Sequence, residues 1–181
     1  IATTLEGGFS PEERGQIEEL AGDIGFAVNS FLQKESIVKL SYYDALTGLP
    51  NKTMLIEHLK IVLQSCKNTH TKGELLFLDV DNFKFINDTW GHAAGDRVLI
   101  EVANRLAEFG GNRHHPYRLG GDEFAMVLYS VHSEYEVQRI CAALSHEFNR
   151  PFDLHNGHQA SMTLSIGFAL TWEHASAEKL Q

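Results

Sequence analysis

The segment GELLFLDVD, residues 73–81, limits what this chain can become. Four consecutive apolar residues, Leu75 to Leu78, occupy its centre. In a strand, successive side chains point to opposite faces, so such a run is apolar on both faces. A strand of that kind needs cover on both sides, which predicts a buried central strand in a helix-covered sheet. The run ends in Asp79, Val80 and Asp81. Asp79 and Asp81 share one side of the extended chain and Val80 takes the other.

The surrounding pattern supplies the helices. Residues 10–44 read as one long helix, with Ser10 as N-cap, Pro11 at the first helical position and Glu13 closing a capping box. Ile17, Leu20, Ile24, Ala27 and Phe31 recur at spacings of three and four, and Val38 falls a heptad further on. This is a heptad seam, open to two readings: packing against a domain, or a dimeric coiled coil. Gly22 and Gly25 weaken the helix and favour close packing. After the turn DALTGLPNKT, a helix from Asn51 or Lys52 to about Cys66 presents Leu55, Leu59 and Val62 on one face. Beyond the central strand, a short helix is expected over residues 83–87. A longer one is expected from about Gly95 to Phe109, with Val98, Val102 and Leu106 inward. PYRLGGDEFAMVLY predicts two strands about a glycine turn, and SEYEVQRICAALSHEF an amphipathic helix. PFDLHNGHQASMTLSIGFAL predicts a second hairpin turning at Asn156-Gly157. Together these imply an α/β (α+β) domain with an antiparallel-centred sheet flanked by helices.

Composition narrows the function. A chain of 181 residues, 43% apolar, can bury one full core. Its formal net charge of −9 disfavours nucleic-acid backbones and anionic membranes, but a nucleotide remains possible if a cation supplies positive charge. Cys66 and Cys141 have no metal-like spacing and fit a reducing, cytoplasmic compartment. No apolar run approaches a membrane span. The chain opens without Met and is expected to be a piece of a longer protein. His114-His115 and His155…His158 lack the spacing of a zinc site, and no nucleophile–histidine arrangement is visible.

Three stretches can carry chemistry. In LDVDNFKFIND, Asp79 is placed for a hard divalent cation. Asp81 also stands where an N-cap stands, the role its position favours. The N–H groups around Asn82 and Phe83 open a helix and suit an anion, with Lys84 adding a positive charge. In RLGGDEF, Gly120 and Gly121 permit positive φ and leave the backbone bare. If that hairpin pairs beside the Asp79 strand, Asp79, Asp122 and Glu123 converge. A solvated turn with a charged lip is the alternative, and local chemistry alone prefers it. In INDTWGHAAGD, Asn87 and Asp96 offer the donor and acceptor set that matches guanine and mismatches adenine. They can equally be the end of one helix and the start of the next.

Taken together these blocks resemble the GGDEF family of diguanylate cyclases. DALTGLPN at residues 44–51, LDVDNFKFINDTWGHAAGD at 78–96, RLGGDEF at 118–124 and LSIGFA at 164–169 match in order. The resemblance implies a palm-like, nucleotidyl-cyclase-like fold over residues 43–181, with residues 1–42 as a linker or signalling helix. It implies condensation of two GTP into cyclic di-GMP with release of pyrophosphate, using Mg²⁺ or Mn²⁺. Asp79, Asp122 and Glu123 would be the catalytic carboxylates, with the Val80 carbonyl completing the metal set. Asn82, Phe83 and Lys84 would hold terminal phosphates, and Asn87 and Asp96 would read guanine. Gly120 and Gly121 would let the α- and β-phosphates pass. Each domain would bind one GTP, so a second copy is implied as partner. The alternative within the family is a catalytically weak GTP-binding domain that regulates an attached domain such as a phosphodiesterase.

The chain departs from the family pattern in four places. Gly111 and His114 stand where the inhibitory product site has Arg-x-x-Asp, so no such feedback site is expected. Lys52 replaces an Arg of the same neighbourhood. The chain stops at EHASAEKLQ, before the family's last helix and its basic phosphate contacts, so weak GTP affinity is expected of it. Residues 7–32 resemble, over a short length, the closing helix of a GAF sensor domain.

Overall fold

The computed structural model describes residues 11–69, 73–129, 131, 133–155 and 158–170. Two compact units divide the chain, Ile1–Ser41 and Tyr42–Gln181. The described residues of the first unit all lie in helix α1, which spans Pro11–Tyr42. Ser10 lies outside the described residues, as do Asn156-Gly157 and the segment 171–181. Along α1 the seam residues Leu20, Ile24, Phe31 and Val38 are more than half exposed, and so are Phe26 and Leu40. Among the described residues no helix is long and apolar enough to cross a membrane.

The second unit is built around β1 (Gly73–Val80), flanked by α2 (Lys52–Thr69), α3 (Phe83–Trp90), α4 (His92–Gly110) and α5 (Glu134–Glu147). Strands β2 (His114–Gly120), β3 (Glu123–Tyr129) and β6 (Leu164–Leu170) join β1 in one sheet of order β2-β3-β1-β6. All three ladders are antiparallel. A parallel bridge, Asn51 to Arg118, ties the chain before α2 to β2. Strands β4 (Phe152–His155) and β5 (His158–Ala160) form a separate two-stranded hairpin.

Alternation along β1 sorts the core into two layers. Leu75 and Phe77, with Tyr117, Ala125 and Val127, face α2 and pack on Leu55, Leu59 and Val62. Leu76, Leu78 and Val80, with Phe124, Met126 and Leu128, face the other way. They pack on Val98, Val102 and Leu106 of α4 and on Val137 and Leu144 of α5. The apolar faces expected of α2 and α4 are those that are buried.

The segment expected to form one C-terminal hairpin is instead divided. Its first half makes β4 and β5, while LSIGFAL leaves as β6 and pairs with β1 along its whole length. The free edge of β1 supplies a complete ladder for seven residues of β6, a larger gain than a longer isolated hairpin offers. Helix α3 also runs on to Trp90, and α4 begins at His92 rather than near Gly95. Gly91, at φ 81°, is the only residue between them.

Arg105, 5% exposed, holds the β4 approach to α4. Its guanidinium donates to the carbonyls of Arg150 at 2.7 Å and Pro151 at 2.8 Å and lies 3.9 Å from the Phe152 ring centre. Those bonds, with one to Glu101 at 2.9 Å, satisfy a charge that burial would otherwise penalise.

Leu106 is wholly buried between α4 and the sheet. Leu106→Ala is expected to lower unfolding stability by about 2–5 kcal/mol, measured by urea denaturation of the whole chain, with the denaturant slope unchanged.

Candidate active site at the tips of β1 and β3

The β1–β3 register sets Asp79 opposite Glu123, and the β1–β6 register sets Asp79 opposite Ser165. Asp122 sits in the turn that precedes Glu123, with its carbonyl accepting from the Val80 N–H at 3.3 Å. The three acidic residues are therefore brought to one end of the sheet. Desolvation raises the pKa of the Asp79 carboxyl above its ordinary 3.8, and the charges of Asp122, Glu123 and Asp81 raise it further. Asp79 is nonetheless exposed, while the next residue, Val80, on the opposite face stays buried in the core. Exposure keeps that desolvation modest and leaves the mutual repulsion screened by water.

A cavity of about 670 Å³ opens on the α2 side of this tip. Asp79, Glu123, Ser165 and Lys52 line it together with Phe77 and Leu119. Asn82, Asn87, Asp96 and Asp122 do not line it. Among the described residues no group of three or more His, Cys, Asp or Glu side chains is spaced to hold a metal ion alone. Two carboxylates beside a backbone carbonyl suit Mg²⁺ better than a closed cage does. That ion is held by one or two carboxylates and takes its other oxygens from phosphates and water. The donor set and its unbalanced negative charge therefore fit a divalent cation of this kind.

The turn after β1 is sharper than an extended strand end. Asn82 takes a left-handed conformation, φ 60° and ψ 21°, and precedes α3 without a side-chain cap. The capping role expected of Asp81 does not occur. Its carboxylate accepts instead from Thr163 Oγ1 at 2.5 Å and Ser165 Oγ at 2.6 Å, bonds that hold its pKa below 3.8. The reason is reach: the β6 approach lies beside Asp81 in the next ladder position after Val80 and Leu164. The Asn82 carbonyl accepts from the Phe85 N–H at 2.9 Å, and Lys84 is exposed on the first turn of α3.

Asn87 and Asp96 lie on consecutive helices rather than at a helix end and start. Asn87 is inside α3, and Asp96 is in the second turn of α4. Gly95 explains how closely these helices meet. A Cβ at Gly95 would lie 2.0 Å from Asn87 Oδ1 and 3.1 Å from Phe83 Cζ. The bare α-carbon thus gives the Asn87 amide its place against Gly95, the residue before Asp96 on α4.

The hairpin turn between β2 and β3 needs its glycines for conformation. Gly120 has φ 145° and Gly121 φ 53°, regions that L side chains rarely adopt, and the ladder shifts register between Arg118 and Gly120. Nothing lies within 4 Å of a Cβ at either position, so the space over the turn is open.

Two residues that the sequence reading did not assign hold this turn. Arg118, 9% exposed, donates from Nη2 and Nε to the Gly121 carbonyl at 2.8 and 3.2 Å. Its Nη1 donates to Asp44 Oδ1 at 2.8 Å. The same carboxylate oxygen accepts from the Thr47 N–H at 2.8 Å and the Thr47 hydroxyl at 2.7 Å. The loop before α2 is thereby latched to the glycine turn. Arg118 precedes the glycines by two positions in RLGGDEF, and Asp44 opens DALTGLPN; their pairing across 74 residues had no local signal.

The fold and this tip define a helix-covered α/β palm that carries its carboxylates at the end of a central antiparallel strand pair. The family described as "Diguanylate cyclase, GGDEF domain" matches residues 41–181, and the chain belongs to that family. It is 63% identical over 145 residues to the diguanylate cyclase DgcN of Escherichia coli strain K12, covering 80% of this chain and 35% of that protein. A solved structure of the GGDEF domain of TpbB from Pseudomonas aeruginosa superposes with a TM-score of 0.70 at 38% identity, covering 74% of this chain and 78% of that one. The coiled coil and GGDEF domain of DgcB from Caulobacter crescentus, solved in complex with c-di-GMP, gives a TM-score of 0.78 at 25% identity, covering 91% and 87%. The chain spans about a third of the length of the curated relatives DgcN and TpbB.

Burial works to raise the Asp44 pKa, but the Thr47 and Arg118 bonds outweigh it and hold the carboxyl below 3.8. A depressed carboxyl pKa stabilises the latch above pH 3.8, and that contribution is lost as pH falls through the lower folded value. Carbon-detected NMR of the Asp44 carboxyl should therefore show a midpoint below 3.8, moving upward in Arg118→Ala. A midpoint unmoved by that substitution would remove Arg118 from the account.

Proposed function

We propose that this chain is the catalytic domain of a diguanylate cyclase, joining two GTP into cyclic di-GMP with release of pyrophosphate. The observation that carries the proposal is the register that sets Asp79 against Glu123, one residue from Asp122 and beside the left-handed turn at Asn82. The named activities of relatives such as DgcN and TpbB support it.

In this reading Asp79, Asp122 and the Val80 carbonyl hold Mg²⁺ or Mn²⁺, with Glu123 toward a second ion. Bound there, a divalent cation would supply the positive charge that stabilises the attacking and leaving oxygens of an in-line displacement. The N–H groups of Asn82 and Phe83 and the Lys84 ammonium bind the terminal phosphates. The α- and β-phosphates lie over Gly120 and Gly121, where the backbone is open. Asn87 and Asp96 take the guanine edge, the amide giving a donor and the carboxylate accepting from N1–H and the exocyclic amine. Asp122 accepts the proton from the attacking 3′-hydroxyl.

One domain carries one nucleotide, so the reaction needs a second copy facing the first, and the gain is proximity. Helix α1 is the element suited to bring copies together. Leu20, Ile24 and Phe31 lie along its heptad seam and are exposed in the single chain. The reaction is then controlled by whatever moves that helix, and the working compartment is the cytoplasm.

Incubation of the full chain with GTP and Mg²⁺, followed by chromatography for cyclic di-GMP, tests the activity. Asp122→Ala should reduce turnover at least about 100-fold with an unchanged thermal midpoint; an active Asp122→Ala protein would remove that residue from the site. Gly95→Ala should fold, because the nearest obstructing atom is the far end of the Asn87 side chain. It should displace that amide and weaken GTP binding about tenfold, measured by calorimetry. Undiminished GTP affinity in Gly95→Ala would take Asn87 out of the base pocket.

A further inference from the structure

Asn82 is the one non-glycine residue with positive φ among the described residues. A backbone held in that region persists where its surroundings over-determine it. Here the surroundings are the start of β6. The Asp81 N–H donates to the Thr163 carbonyl at 3.0 Å. Thr163 Oγ1 and Ser165 Oγ return two bonds to the Asp81 carboxylate, one to each oxygen. Main chain and side chain of Asp81 are thus fixed together. Asp81 stands between Val80 and Asn82, so fixing it sets both the direction of the Val80 carbonyl and the entry into α3. The anchor is itself fixed, because β6 is in register with β1 and Ser165 lies opposite Asp79.

We propose that Asp81, Thr163 and Ser165 form a positioning clamp, which holds the β1–α3 turn so that the Asn82 and Phe83 N–H groups are preset for the terminal phosphates of a nucleoside triphosphate. The inference rests on the GTP-binding reading above and gives Asp81 a role distinct from those of a metal ligand and a helix cap. The three residues act through Asn82 and Val80 rather than on the substrate. Presetting matters because N–H groups that must reorganise on binding give up affinity to the cost of ordering them. The clamp acts on the part of the site that meets phosphates, so its loss should scale with phosphate number.

The test compares the full chain with Thr163→Ala/Ser165→Ala, and with Thr163→Ser/Ser165→Thr, which keeps both hydroxyls. Affinities for GMP, GDP and GTP are measured by calorimetry with Mg²⁺, and backbone amide exchange over residues 82–85 is followed without ligand. The expected result for the alanine pair is a GTP dissociation constant raised about tenfold, with a smaller rise for GDP and none for GMP. Exchange over 82–85 should accelerate while β1 stays protected, and the hydroxyl-keeping pair should restore both readouts. Equal weakening of all three nucleotides would mean general loosening and would overturn the clamp, as would unchanged exchange at 82–85. A wild-type chain that binds no GTP would sink the functional reading, and exchange would then decide by itself whether Asp81 is clamped.

Discussion

Antiparallel pairing of β1 on both of its edges is the constraint from which the rest follows. One ladder aligns it with β3 from Gly73 to Asp79, and the other aligns it with β6 from Glu74 to Val80. Side chains alternate with a period of two, so this double register decides at once which residues enter each core layer and which acidic groups meet at the tip. A slip of one residue would turn Leu76 and Leu78 toward α2 and carry Asp79 away from Glu123. The core and the site are therefore specified by the same hydrogen bonds.

The magnitudes show why the acidic tip is tolerated. Each fully buried Leu, Val or Phe contributes roughly 1.5–3 kcal/mol, and more than a dozen such residues face the two layers. The carboxylates at the tip are exposed or half-exposed, so their repulsion is screened by water and salt. Burial wins easily, and the tip can keep an excess of negative charge. The glycine turn in turn depends on Arg118, whose charge is shared between the Gly121 carbonyl and Asp44. The Arg118 charge thus goes to a structural latch beside the acidic residues, and its paired carboxylate is that of Asp44.

Local pattern made much of this visible. Apolar spacing located the buried faces of α2 and α4, and the unbroken run in β1 marked it as central. Other features escaped because their causes are remote in sequence. Asp81 looked like a cap since a helix follows it, but hydroxyls more than eighty residues away claim its carboxylate. LSIGFAL looked like the return strand of a hairpin, yet the open edge of β1 offered it a longer ladder. Gly95 drew notice only as a helix start; its need for a bare α-carbon comes from Asn87 on the neighbouring helix.

By itself, then, the sequence determined the kinds of element, the central place of β1, the family to which the chain belongs and the residue types available for chemistry. These follow from short-range periodicity and from motif order, both of which are properties of neighbours along the chain. Only the tertiary structure decided which carboxylate faces which, that Asp81 is bound to β6, and that Arg118 joins the glycine turn to the loop at Asp44. Those facts depend on strand register and helix approach, which are set by pairing energies between segments far apart in the chain.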